Sequence, residues 1–340
     1  MVFGAFMVVL GVTGSILAFE PELDRLFHPD VSYVKPAQRS LSLVEIGDAI
    51  SRKYGGEPIV AFLPSPSPRF PTQVLMSRGV VSVNQYTGEV LGVRARGWNF
   101  FGFVRALHLR LATGDVGRNI LRWSAVGMLF SLMSGLYLWW PVKRVRIRGP
   151  WLSGRFWFDL HNSIGVFSLL PLLALALTGI VIGFEDQVAS LLDKITGPSA
   201  VHTSQVFSRS EAEPGSKEIT ADQAVDIACS RLPGTVAYRV QMPRYGGMYV
   251  VALTYPDNRI AGERNSFAVD RWSGKIISAN LSTDLTARER FMAVDEAVHT
   301  GSLCGMPGKI IVAITGILLP VQAVSGLVMW LRRRKIVGAN

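Results

Sequence analysis

The chain has 340 residues and a formal net charge of +10, yet only 18% of its residues are charged and 49% are hydrophobic. Soluble domains usually carry about 25% charged residues, and a nucleic-acid-binding protein of this net charge would carry many more. The composition therefore excludes an acidic disordered protein and argues against a cytosolic enzyme and a nucleic-acid partner. It indicates a membrane protein whose basic residues flank its spans.

Four long runs without charged residues mark the predicted spans. A transmembrane helix needs about 20 apolar residues, and the runs of suitable length are residues 1–19, 123–142, 164–184 and 310–331. The first run has no basic leading region and does not end in small residues, so we interpret it as a retained helix rather than a cleaved signal peptide. The sequence predicts an α-helical membrane protein with four transmembrane helices.

The basic residues predict the orientation of these helices. Five basic residues and one acidic residue lie between the second and third spans, and four basic residues follow the fourth span. By the positive-inside rule both segments face the cytoplasm, and an even number of spans places both termini there. The long connections, about residues 20–117 and 185–307, then face the periplasm of a bacterium. Most of the basic excess is thus a topology signal that indicates a lipid bilayer as partner.

The chain is a tandem repeat of two halves. Thr13-Gly14 in the first span recurs as Thr178-Gly179 in the third, at an offset of 165 residues. Residues 135–139 in the second span recur as residues 326–330 in the fourth, at an offset of 191 residues. Each half is therefore predicted to contain a span leading outward, an extramembrane module and a span returning inward.

The extramembrane modules carry both helix and strand signals. Residues 42–53 and 220–231 are predicted to be helices, with Thr220 and Asp222 as caps of the second one. Two stretches alternate apolar and polar side chains before a glycine turn, as is typical of β-hairpins; they are residues 81–90 and 267–276.

These signals define eight predicted segments. In chain order they are helix 1–19, module 20–117, helix 118–142, basic loop 143–160, helix 161–184, module 185–307, helix 308–331 and basic tail 332–340. The two cysteines, Cys229 and Cys304, are too few for a disulfide framework and are predicted to be unpaired.

Three of the five histidines lie next to a predicted span and are candidate ligands. His108 and His299 are related by the offset of 191 residues and lie at the same end of the predicted bundle, whereas His161 lies at the other end. Imidazole is a good iron ligand, and ionisable groups at membrane depth are functional candidates. A matched pair would give a porphyrin iron two axial ligands and suit it to electron transfer. From the residues alone, a haem, a bare metal ion and interfacial polar side chains all stay open.

The repeat predicts only half of a site at His161. This histidine precedes Thr178 by 17 residues, so its counterpart would precede Thr13 by 17 residues and fall upstream of Met1. We therefore expect either that the protein starts earlier or that the second site has lost one ligand.

Several motifs spread over nearly the whole chain are typical of one family. They are T-G…F-E-P-E-L-D at 13–24, N-Q-Y-T-G-E-V at 84–90, L-H…G-D-x-G at 107–117, G-L-Y-L-W-W-P at 135–141, D-L-H-N…G at 159–165 and V-H-T-G at 298–301. With these motifs the chain resembles the PepSY-associated transmembrane proteins, which include inner-membrane ferric-siderophore reductases of the ferrioxamine-reductase type.

The resemblance implies two periplasmic α+β modules of the PepSY type and b-type haem held between the spans. Carried over by motif, His108 and His299 would ligate a haem on the periplasmic side. His161 would ligate a second haem together with a histidine that opens the first span in this family, and that second haem is in doubt because the sequence begins downstream of that position.

Near the periplasmic haem, Arg105, Arg110 and Arg118 are candidates for pairing with the haem propionates, although interfacial anchoring is the other reading of these side chains. The implied activity is that of an oxidoreductase in the bacterial inner membrane. It would pass electrons from an unidentified donor on the cytoplasmic side to a periplasmic ferric siderophore and release Fe(II) for uptake.

Two other functions are compatible with the sequence. One is a non-redox, membrane-anchored regulatory or protease-inhibitor-like PepSY protein, whose spans would serve only as anchors. The other is a transporter, although both halves share one orientation and no span is interrupted by a charge. A Soret band in the purified protein would favour the reductase. A homodimer is also compatible with the sequence.

Overall fold

The computed structural model describes residues 2–65, 67–95, 99–141, 143, 145–197, 217–243, 247–260 and 265–337. The chain divides into two compact units. The helical unit comprises residues 1–20, 98–195 and 291–340, and the sheet unit comprises residues 21–97 and 196–290.

Within the described ranges the chain forms eleven α-helices and eight β-strands. The helices are α1 (Val2–Ala18), α2 (Glu20–Phe27), α3 (Pro29–Ser32), α4 (Leu43–Tyr54), α5 (Phe100–Arg110), α6 (Asp115–Trp139), α7 (Gly154–Gly183), α8 (Glu185–Thr196), α9 (Ala221–Arg231), α10 (Ala287–His299) and α11 (Gly305–Val337). The strands are β1 (Ile59–Leu63), β2 (Thr72–Met76), β3 (Gly79–Val83), β4 (Val90–Ala95), β5 (Val236–Gln241), β6 (Met248–Thr254), β7 (Asn265–Asp270) and β8 (Ile276–Asn280).

Three helices, α6, α7 and α11, are long and apolar enough to cross a membrane. A fourth candidate is the pair α1 and α2, whose axes are bent by 69°. By length and composition the described residues therefore provide three spans, or four if the bent pair counts as one. The helix α7 begins at Gly154 rather than at residue 161, so part of the predicted basic loop is helical; the Oγ of Ser153 accepts a hydrogen bond from the backbone N–H of Phe156 and caps this start.

In the helical unit α1 packs on α11, α11 on α7, and α7 on α6. Small residues make the first contact close, since a Cβ on Gly11 would lie 2.3 Å from the backbone oxygen of Gly316. Next to it, the Oγ of Ser15 donates a hydrogen bond of 2.8 Å to the backbone oxygen of Ala313. Membrane helices associate through such contacts because lipid provides no hydrophobic force between them.

The repeat is visible in the two turns that lead into α6 and α11. Gly114 has φ 68° and ψ −134°, and Gly305, at the equivalent position, has φ 62° and ψ −140°. A Cβ on Gly117 would lie 1.8 Å from a backbone oxygen, and a Cβ on its counterpart Gly308 would lie 2.1 Å from one. Only glycine fits such close approaches, so both turns hold the preceding helix, α5 or α10, in the same way.

The sheet unit contains one antiparallel sheet with the strand order β4-β3-β2-β1-β5-β6-β7-β8. Strands β1 and β5 pair at its centre, where Ala61 lies opposite Gln241. The two predicted modules therefore share a single sheet, with the boundary between them at its middle. The predicted hairpins are β3–β4 and β7–β8, and each has an irregularity at the equivalent position, between Ser82 and Val83 and between Ala268 and Val269.

The helices α4 and α9 contribute to the core of this unit. Ile46 and Ile50 of α4 and Ala224 of α9 are buried together with valines of the sheet. The predicted cap Thr220 forms a capping box with Gln223.

The predicted cap Asp222 has a different role. Its carboxylate accepts hydrogen bonds from the backbone N–H groups of Leu43, at 2.8 Å, and Val44, at 3.1 Å. It thus satisfies the start of α4 rather than of its own helix, a contact between the two halves that no local pattern predicts. The thiols of Cys229 and Cys304 are both free, as predicted.

Candidate functional site

Three histidines bind, through Nδ1, a hydroxyl on a neighbouring helix. The distances are 2.9 Å from His108 to Thr13 Oγ1, 2.8 Å from His299 to Thr178 Oγ1 and 2.9 Å from His161 to Ser325 Oγ. These contacts join α5 to α1, α10 to α7, and α7 to α11. The repeat thus places the same contact at three positions in the helical unit.

The hydroxyls determine which ring nitrogen carries the hydrogen. The Oγ1 of Thr13 lies 2.6 Å from the carbonyl oxygen of Val9, and the Oγ1 of Thr178 lies 2.8 Å from that of Ala174. Ser325 makes the same kind of bond, of 3.1 Å, to the carbonyl three residues earlier. A hydroxyl that donates its only hydrogen to a carbonyl can only accept from a histidine. Nδ1 therefore carries the hydrogen, and the Nε2 lone pair is free, as in metal-bound histidines.

A glycine follows each of these hydroxyl residues and makes room for the ring. A Cβ would lie 3.0 Å from His108 Cε1 at Gly14, 3.5 Å from His299 Cε1 at Gly179 and 3.5 Å from His161 Cε1 at Gly326. We call Thr13-Gly14, Thr178-Gly179 and Ser325-Gly326 the hydroxyl–glycine pairs. In each pair the hydroxyl orients the imidazole, and the glycine lets its edge approach the helix backbone.

The rings of His108 and His299 face each other, with centroids 6.4 Å apart and planes inclined by 53°. A metal ion lies about 2.0–2.1 Å from an imidazole nitrogen, so two imidazoles on opposite sides of one ion have centroids about 6 Å apart. The observed separation therefore fits a single metal ion between the two rings.

Both rings of this pair are neutral at pH 7, which is the state that binds a metal. Burial lowers the pKa of His299 to about 4. Burial, helped by the neighbouring His299, likewise lowers the pKa of His108 to about 4.

His161 is not part of this pair. It precedes Thr178 by 17 residues on α7, which corresponds to about 26 Å along a helix axis. The side chain of Gln322 donates a hydrogen bond of 2.9 Å to the backbone oxygen of His161 and fixes this part of α7 against α11. The structure thus brings two of the three predicted ligands together and places the third near the other end of α7.

The predicted propionate partners are less closely tied to the histidine pair. Arg105 forms an ion pair with Glu20, and its side chain is 55% exposed. Arg110, at the end of α5, is exposed, and Arg118, in the first turn of α6, is half-buried. The carboxylate of Glu20 therefore competes for the role that the sequence assigns to Arg105.

Arg122 is a further cation that the sequence analysis did not single out. Its guanidinium carbon lies 5.3 Å from the centre of the Phe184 ring, and its Nε is buried without a hydrogen-bond partner in the described part of the chain. A Cβ on Gly179, beside His299, would lie 3.9 Å from the Cβ of Ala125, which is one turn from Arg122 on α6. The arginine is thus about one helical turn from the histidine pair. A buried, unpaired cation is costly, so an anion at this position would stabilise it.

The histidine pair fits the two axial ligands of a haem. A porphyrin supplies four nitrogens to its iron and needs only one or two further ligands from the protein. The pair supplies two imidazoles with free Nε2 atoms at a suitable separation. Within the described ranges no group of three or more His, Cys, Asp or Glu side chains is placed to hold a metal ion.

The sequence analysis found the histidines but not the groups that orient them. Thr13 and Thr178 served only as markers of the repeat, and Ser325 only as a small packing residue. A signal was nevertheless present, since Thr-Gly recurs at an offset of 165 residues in two spans. Residues that a repeat keeps beside a histidine-bearing helix are candidates for contact with that histidine.

The fold and the site define a multi-pass membrane protein with a histidine pair between helices of its helical unit. The family model of the PepSY-associated TM region matches residues 1–333. The chain therefore belongs to the PepSY-associated transmembrane family, as its motifs predicted. The comparison with curated proteins finds no match.

Proposed function

We propose that the protein is a b-type haem oxidoreductase of the bacterial inner membrane that reduces a ferric siderophore on the periplasmic side and releases Fe(II). The observation that carries the proposal is the facing pair His108 and His299, with centroids 6.4 Å apart and each Nδ1 bonded to a threonine. When bound, haem supplies a one-electron Fe(III)/Fe(II) couple.

The protein's own residues bind and orient. Thr13 and Thr178 accept the Nδ1–H groups, which turns both Nε2 lone pairs toward the space between the rings. An accepted Nδ1–H raises the basicity of the ligand and favours the oxidised metal. Because both axial positions are taken by protein, the iron is suited to electron transfer rather than to oxygen binding. No general acid, general base or nucleophile is required.

The arginines supply positive charge for the two carboxylates that haem carries. Arg122 has the buried Nε without a described partner and lies about one turn from the pair. Charge-assisted bonds between guanidinium and carboxylate are among the strong hydrogen bonds of proteins. Arg118 and Arg105 are the other candidates, and Arg105 would have to share its charge with Glu20.

His161 belongs to the inner end of the proposed electron path. The basic segments at residues 143–155 and 332–335 place this end on the cytoplasmic side by the positive-inside rule. An unidentified donor there would deliver one electron at a time. On the periplasmic side one electron converts chelated Fe(III) to Fe(II), which siderophores bind far more weakly, so the iron is released.

Spectroscopy of the purified protein tests the proposal. Dithionite reduction should give sharp visible bands, and an added ferric siderophore should reoxidise the protein while a ferrous-specific chelator collects one Fe(II) per electron. His299→Ala should abolish both signals, whereas the exposed His28→Ala should leave them unchanged. A colourless protein after expression with ample haem would overturn the proposal and favour a non-redox PepSY protein. A haem protein that ferric siderophores do not reoxidise would overturn the proposed substrate.

A further inference from the structure

We propose that Ser134 and Gly135 form a fourth imidazole site, which takes the side chain of a histidine carried by a helix packed against α6. This inference rests on the proposed function and deepens it, since it completes the ligand set opposite His161. It concerns a part of α6 that neither the motifs nor the family match assigns to a ligand.

The repeat relates this position to a hydroxyl–glycine pair. Ser134-Gly135 precedes Ser325-Gly326 by 191 residues, the offset that also relates His108 to His299. The Oγ of Ser134 donates a hydrogen bond of 3.0 Å to the carbonyl oxygen of Ser131, three residues earlier. Ser325 makes the same bond in α11. The Ser134 hydroxyl is therefore left as an acceptor for a ring N–H, like the hydroxyls that hold the three histidines.

The surroundings of the two positions differ in one respect. Ser325 is fully buried, and a Cβ on Gly326 would lie 3.5 Å from His161 Cε1. Ser134 is exposed, and no atom in the described part of the chain beyond its own helix lies within 4 Å of a Cβ placed on Gly135. The nearby side chains of α6 are also uncovered, with Tyr137 78% and Leu138 73% exposed.

A small-residue contact between helices has a different appearance in this protein. Thr315-Gly316 in α11 has the same residue types, but a Cβ on Gly316 would lie 2.3 Å from Ser15 Oγ and 2.5 Å from the backbone oxygen of Gly11. That glycine is filled by the backbone of α1, so it serves helix packing. The glycines beside histidines meet a ring edge instead, and the repeat assigns Gly135 to this second group.

The repeat also specifies the occupant. The helix α1 is the counterpart of α7, and His161 precedes Thr178 by 17 residues. A histidine that precedes Thr13 by 17 residues, on a helix continuing α1, would have the same relation to α6 that His161 has to α11. Its Nδ1–H would bind the Ser134 hydroxyl, and its Nε2 would be the counterpart of the His161 Nε2.

An extended protein tests this inference. We would add a helix-forming apolar segment before Met1 with histidine at the fifth residue upstream, and compare it with the same extension carrying alanine there. The histidine extension should raise the haem content from one to two per chain and add a second low-spin signal in electron paramagnetic resonance spectra. The alanine extension should leave the haem content at one.

Substitutions at the proposed site provide the matched controls. In the histidine-extended protein, Gly135→Leu should fill the space for the ring and return the haem content to one. Ser134→Val should weaken retention of the second haem by about 10- to 100-fold, the usual effect of losing a partner of a metal-bound histidine. Ser134→Thr keeps the hydroxyl and should keep the second haem.

The outcomes separate this inference from the proposed function. A haem content of one in every variant, abolished by His299→Ala, would overturn the inference and leave the proposed function standing. Two haems in the protein without the added histidine, or two haems in spite of Gly135→Leu, would also overturn the inference. The absence of haem from all variants would contradict the proposed function and this inference together.

Discussion

Thr13 Oγ1 accepts the Nδ1 hydrogen of His108 at 2.9 Å, although the two residues are 95 positions apart in the chain. Thr178 does the same for His299, at 2.8 Å. Each histidine is thus carried by a short helix outside the spans, but its ring is oriented by a residue of another helix. The chemistry of the rings therefore depends on residues of α1 and α7, which are distant in sequence.

Removing these hydroxyls should change the reduction potential of the proposed haem. Thr13→Val or Thr178→Val deletes the acceptor of an Nδ1–H group, which lowers the basicity of the imidazole and stabilises the oxidised metal less. We expect a higher midpoint potential in a redox titration and a loss of about 10- to 100-fold in haem retention.

The conservative and the structural controls for this change lie in the same helices. Thr13→Ser and Thr178→Ser keep the hydroxyl and should restore most of the effect. Thr315→Val removes a buried threonine whose neighbouring glycine faces α1 rather than a histidine, and it should leave the potential unchanged. Equal shifts in all three valine variants would contradict a specific role for the contacts with histidine.

The glycines beside the rings should differ in their tolerance to alanine. A Cβ on Gly14 would lie 3.0 Å from His108 Cε1, which is tighter than an ordinary contact, whereas at Gly179 the distance to His299 Cε1 would be 3.5 Å. Gly14→Ala should therefore displace its ring and change the g-values of the low-spin signal, while Gly179→Ala should leave them nearly unchanged. If Gly179→Ala has the larger effect, the ring positions described here are wrong.

The fold was predictable to the extent that local patterns determine it. Charge-free runs identified the spans, alternation identified both hairpins, and Thr220 was a correct cap. The pairing of β1 with β5 was not predictable, because it joins strands whose own patterns are satisfied by their hairpin neighbours. Asp222 was misassigned for a related reason, since its carboxylate binds N–H groups of a helix 178 and 179 residues earlier.

The candidate site was also predictable only in part. The matched positions of His108 and His299 indicated a pair, because a repeat places equivalent residues symmetrically. The interaction of His161 with Ser325 could not be read from the sequence, since nothing local links one end of α7 to that part of α11. Arg122 was missed because a charge at the edge of a charge-free run is indistinguishable from an interfacial anchor until its neighbours are known.

Asp222→Ala should destabilise the sheet unit. The substitution leaves the backbone N–H groups of Leu43 and Val44 without their acceptor, at a cost of about 1–2 kcal/mol typical of a lost helix cap. Chemical denaturation of the purified protein measures this cost. Asp226→Ala, one turn later and exposed, is the matched control and should be nearly neutral. Equal effects of the two changes would show that the contact with α4 contributes nothing.

The buried carboxyl group of Asp295 should make stability depend on pH. Burial raises its pKa to about 6, and its Oδ2 has no hydrogen-bond partner among the described residues. Because the pKa in the folded protein lies above that of the unfolded chain, ionisation favours unfolding, and the contribution of this group to stability falls between about pH 4 and pH 6.

The variant Asp295→Asn removes this ionisation. It should raise the melting temperature at pH 7.5, and the difference from the wild type should disappear towards pH 4. Glu296→Gln, the exposed neighbour on α10, should show no such trend. A difference that is constant with pH would show that the carboxyl group does not titrate between the folded and unfolded states as described.

The most direct test of a haem held by His108 and His299 is the reduced-minus-oxidised absorption spectrum of the purified protein, with the haem quantified per chain. We predict a low-spin spectrum of the bis-imidazole type that is lost in both His108→Ala and His299→Ala and retained in His28→Ala. A protein without a Soret band after expression with ample haem, or a spectrum that neither substitution changes, would contradict this account.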